Sequence, residues 1–103
     1  MTTVRDAKKV KMNLEEALAS AAEFLERHPE HAALAAQAKM AAARMMATNP
    51  QGKEADPADA GAIASLKEAA AVGREVLSSS DAGRKVPRLT SRIEEAERLL
   101  GPG

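Results

Sequence analysis

The sequence predicts an all-α fold, an up-down antiparallel four-helix bundle. Alanine supplies 24 of the 103 residues, against 21 for Val, Leu, Ile, Phe and the internal methionines together. Alanine has the highest helix propensity and packs poorly in strands, and β-branched and aromatic residues are scarce. Apolar residues also recur at three- and four-residue steps in four segments that Pro, Gly and Ser separate. This length and pattern predict one domain over residues 1–103.

The first helix is predicted over residues 3–27. Thr2 or Thr3 supplies a hydroxyl cap, and Asp6 follows Thr3 by three residues, which is typical of a helix start. A proline at 29 ends the helix, because the residue before a proline, His28, is disfavoured in the α region. The helix carries a heptad stripe of Val4, Ala7, Lys11, Leu14, Leu18, Ala21 and Leu25.

The second helix is predicted over residues 29–48, with Pro29 at its first position. Only one or two residues separate it from the first helix. We expect an αα corner there; the alternative is a kink at His28-Pro29, which would give a three-helix bundle. The sequence Asn49-Pro50-Gln51-Gly52 then predicts a turn.

The third helix is predicted over residues 57–78, with Asp56 as its cap and Pro57 at its first position. The fourth is predicted over residues 86–100, because Pro87 is tolerated only in the first turn of a helix. Between them, Ser78 to Gly83 form a loop, and Gly101 marks the end of the last helix.

The bulk composition excludes several classes of protein. Lys and Arg number 15, as do Asp and Glu, so the whole-domain positive charge of most nucleic-acid binders is missing. The absence of cysteine excludes disulfides, zinc fingers and thiol catalysis. Without a long apolar run or a secretory leader pattern, we expect a cytoplasmic protein with no membrane partner. The Ala, Arg and Gly usage is typical of a GC-rich bacterial or phage genome and equally of an engineered helical protein.

No catalytic residue, cofactor site or metal site emerges from the motifs, so we expect the protein not to be an enzyme. Neither a glycine-rich phosphate loop nor a nucleophile elbow is present. His28 and His31 have a spacing that would suit two metal ligands. The simpler interpretation is that His28 caps the second helix and His31 faces solvent.

The function that the sequence favours is a helical interaction module, which self-associates, for example as a homodimer, or binds a helix of another protein. Unbranched methionine side chains adapt to irregular partner surfaces, and the second helix carries three of them. A thin single-copy core also favours completion by a second chain. The predicted partner-binding residues are Leu34, Ala38, Met40, Ala42, Met45 and Met46.

The alternative function is binding of nucleic acid or phosphate by a basic stripe at the start of the last helix. Arg84, Arg88 and Arg92 are four residues apart, and Lys85 lies beside the first. Guanidinium groups aligned in this way grip phosphates. Acidic residues follow at once, however, and the chain has no Trp or Tyr to stack on bases, so nucleic acid is the less favoured partner.

Overall fold

A computed structural model describes residues 2–101 and contains four substantial helices, one short helix and a 3₁₀ turn at Pro29–His31. Only an isolated bridge between Thr3 and Pro57 has β character in that range. The helices are α1 (Val4–Glu26), α2 (Ala32–Ala47), α3 (Ala60–Ser79), α4 (Ala82–Lys85) and α5 (Leu89–Leu100).

The long helices form the predicted bundle, a rod of about 43 × 21 × 21 Å. Helix α1 packs against all the others, α3 packs against both α2 and α5, and α2 and α5 do not meet within residues 2–101. The corner predicted at His28-Pro29 is confirmed, since α2 folds back along α1 through the 3₁₀ turn. The three-helix alternative with a kinked rod is therefore wrong.

The first turn of α1 is held by a cap and by the loop between α2 and α3. The first N–H groups of a helix have no hydrogen-bond acceptor within the helix, so they need acceptors elsewhere. The Thr3 side chain accepts from the Asp6 amide at 3.2 Å, as the sequence predicted. The Val4 amide donates to the Asp56 carbonyl at 2.9 Å, and that of Arg5 donates to the Glu54 carbonyl at 3.1 Å. The loop therefore fixes the register of the bundle at this end.

The predicted start of the third helix is wrong by three residues. Asp59, not Asp56, is the N-cap of α3, and its carboxylate accepts hydrogen bonds from the amides of Gly61 and Ala62. Pro57 lies outside the helix, in the bridge with Thr3. Asp-Pro-Ala-Asp offers two caps, and the hydrogen bonds that the loop makes to α1 select the second one.

The predicted start of the last helix is also wrong. Ala82–Lys85 form a separate turn of helix, and α5 begins at Leu89. Pro87 and Arg88 occupy the turn between them, where the Leu89 amide donates to the Val86 carbonyl at 3.3 Å. Arg88 is left-handed, with φ 67° and ψ 1°, as at the third position of a type II turn, a position that favours glycine.

Close approach of α3 and α5 depends on a small residue between them. Gly73 is buried on α3, and a Cβ atom there would lie 3.0 Å from Cδ1 of Ile93, itself fully buried on α5. Buried alanines, which number twelve of the 24, likewise leave room for a neighbouring helix at other positions. Small side chains at these buried positions allow the helix axes to approach each other closely.

Candidate interaction surface

Helix α2 consists almost entirely of strong helix formers, with only two charged residues among its sixteen. It ends at Thr48, whose backbone is extended ahead of Asn49 and Pro50, and the Thr48 hydroxyl donates to the Arg44 carbonyl at 2.8 Å. One face of α2 packs into the core. Because alanine lies on both faces, the composition of this helix does not itself show which side is buried.

The solvent-facing side of α2 is apolar. Its members follow the three- and four-residue steps that normally mark the buried side of a helix, and at 3.6 residues per turn they cover an arc of about 100°. All of them are exposed, and Met40 is 73% exposed. We call this the outer face of α2: Ala32, Ala33, Ala36, Met40, Ala43 and Ala47.

Charges flank the outer face and are balanced by neighbouring helices. On the α1 side, Lys39 Nζ lies 3.9 Å from Glu26 Oε1. On the α3 side, Arg44 forms an ion pair with Glu68. The face is therefore uncharged along its centre and electrically neutral at both edges, so a similar face can approach it without strong repulsion.

A shallow groove of about 230 Å³ runs along the α3 edge of the outer face. Its floor is formed by the small buried side chains of Ala41 and Ala69, with the half-buried Val72 beside them. Met40 lies on its rim, and Gln37 and the Arg44–Glu68 pair complete the lining. The groove is open to solvent.

The structure divides the six predicted partner-binding residues into two groups. Leu34, Ala38, Ala42 and Met45 lie in the core of the bundle, and Met45 is fully buried. Most of the surface of these four side chains is taken up by contacts within the bundle. Met40 and Met46 are exposed, at 73% and 66%, as expected if the methionines of this helix do not all pack against the same neighbours.

The partner-binding residues predicted from the sequence do not include the exposed alanines that surround Met40. A signal was available, because no charged residue occurs on the three- and four-residue steps from Ala33 to Ala47. Helix surfaces facing water normally carry charged or polar residues there.

The four cations of the predicted basic stripe do not form one stripe. Arg84 and Lys85 lie on α4, Arg88 lies in the following turn, and Arg92 lies on α5. Arg92 forms an ion pair with Glu16, and Arg84 Nη2 lies 3.1 Å from Asp81 Oδ1. Two of the four are thus neutralised within the chain.

The histidines lie at the corner between α1 and α2. His28 occupies the N-cap position of the 3₁₀ turn, but its side chain makes no capping hydrogen bond, contrary to the prediction. Its ring instead packs against that of Phe24, with 4.7 Å between the two ring centroids. Its Nδ1 lies 3.5 Å from Glu30 Oε1. Among residues 2–101, no three His, Cys, Asp or Glu side chains are grouped closely enough to hold a metal ion.

Elsewhere on the surface, ion pairs link neighbouring helices. Glu97 on α5 accepts two hydrogen bonds from Arg74 on α3 and thereby raises the pKa of that guanidinium above its ordinary value.

No helix in the described part of the chain has the length and apolar character required to cross a membrane. No protein-family model, curated protein or solved structure matches this chain.

Proposed function

We propose that this protein is a non-enzymatic interaction module that pairs with a second copy of itself through the outer face of α2. The observation that carries the proposal is an apolar helix face, patterned like a buried one, that no other part of residues 2–101 covers. Transfer of apolar surface out of water favours its burial at about 25 cal/mol per Å². A face of this kind is expected to have a partner.

A second copy is the occupant that the charges favour. The chain has 15 basic and 15 acidic side chains, so two copies do not repel each other at long range. The ion pairs of Lys39 and Arg44 leave no cation at the edge of the face unbalanced, and no carboxylate lies on the face itself. A strongly acidic or strongly basic partner would have no complementary charge on this face. A second copy presents a face that is likewise uncharged.

The size of the face sets the expected strength of the pair. Sixteen residues of helix are ~24 Å long, and a helix is ~10 Å wide. The contact is therefore well below the ~800 Å² per partner of a standard interface. We expect a weak dimer in rapid exchange, with a dissociation constant in the range of tens of micromolar to millimolar. Because the contact is apolar, added salt has little effect on its affinity.

The test is light scattering or sedimentation equilibrium over a concentration series reaching ~1 mM. The chain should pass from monomer to dimer, and Met40→Glu should weaken the dimer by about 10-fold or more, since burying a methionine contributes ~1.5–3 kcal/mol. The matched control is Met12→Glu, because Met12 is 63% exposed on α1 and lies away from the outer face. It should dimerise like the unmodified chain.

A monomer at every concentration would overturn the proposal, and so would equal weakening by Met12→Glu and Met40→Glu. Circular dichroism of both variants shows whether each keeps the helical fold. Both side chains are exposed, so neither substitution should unfold the monomer.

A further inference from the structure

We draw no further inference here: the strongest candidate, the open cleft between α1 and α5 that Arg88, Ser91 and Arg92 line, lies at the N-terminus of α5, and no buried polar side chain without a partner in residues 2–101 points to a ligand there.

Discussion

Replacing Gly73 with alanine tests how closely α3 and α5 approach. The new Cβ atom would lie 3.0 Å from Cδ1 and 3.1 Å from Cγ1 of Ile93, against an optimum of ~3.5–4.0 Å between carbon atoms. Ile93 is fully buried and has little freedom to move, so overpacking should cost ~1–3 kcal/mol. Alanine recovers ~1 kcal/mol of helix propensity relative to glycine. We expect a net loss of about 1 kcal/mol in the free energy of unfolding.

The assay is urea denaturation followed by far-UV circular dichroism, because the chain has no Trp or Tyr to report by fluorescence. It is performed at low concentration, where the chain is monomeric. Ile93→Val provides the second arm, since it removes Cδ1, the atom nearest the new Cβ. In that background Gly73→Ala should cost less than in the unmodified chain, although the contact with Cγ1 at 3.1 Å remains, which gives a coupling free energy of at least about 0.5 kcal/mol between the two positions.

An increase of ~1 kcal/mol on Gly73→Ala in the unmodified chain would refute the reasoning. That result would mean that the gain in helix propensity is not opposed by any overpacking against Ile93. The helices α3 and α5 would then be further apart than described. Zero coupling with Ile93→Val would lead to the same conclusion.

Three further predictions concern single residues. Arg88→Gly should raise the free energy of unfolding by about 0.5 kcal/mol, since relief of ~1–2 kcal/mol of left-handed strain exceeds the greater chain entropy of glycine; a lower urea midpoint would contradict this. Asp59→Ala should lower the free energy of unfolding by ~1 kcal/mol, because it removes the α3 cap. Asp56→Ala should lower it by less, because the Asp56 side chain accepts a single hydrogen bond, from a loop amide. The reverse order in urea denaturation would show that Asp56, the cap predicted from the sequence, is the one that stabilises the helix. Dilute peroxide should oxidise Met40 well before Met45, as peptide mass spectrometry would show, because the first is 73% exposed and the second is fully buried; equal rates would contradict the assigned orientation of α2.

Local patterns in the sequence predict most of α1 and the corner that follows it. The heptad stripe, the Thr3 cap and the proline at 29 are all local signals, and the observed helix, Val4–Glu26, differs from the predicted 3–27 by one residue at each end. The order and number of the long helices follow from the same kind of evidence.

The wrong boundaries have causes that lie outside the local sequence. The loop before α3 is held by hydrogen bonds to the first turn of α1, about fifty residues earlier in the chain, and those bonds favour Asp59 over Asp56 as the cap. The turn before α5 places Arg88 in a left-handed conformation that nothing in its residue type signals.

The partner-binding residues predicted from the sequence lie on the same helix as the outer face of α2, but the structure shows that they are a mixture of buried and exposed residues. Periodicity identifies the inner side of a helix only when the outer side is polar. On α2, the inner Ala38 and the outer Ala36 are identical, and only packing against the rest of the bundle distinguishes Met45 from Met40.

The most direct test of the central claim is a dilution series of amide and methyl NMR spectra, from ~1 mM to ~10 µM. If two copies pair through the outer face of α2, the signals that shift on dilution are those of Ala33, Ala36, Met40 and Ala43, together with Val72 at the groove. Signals of Met12 and of α5 stay fixed. Spectra that do not change with concentration, or shifts confined to α1 and α5, would contradict the account.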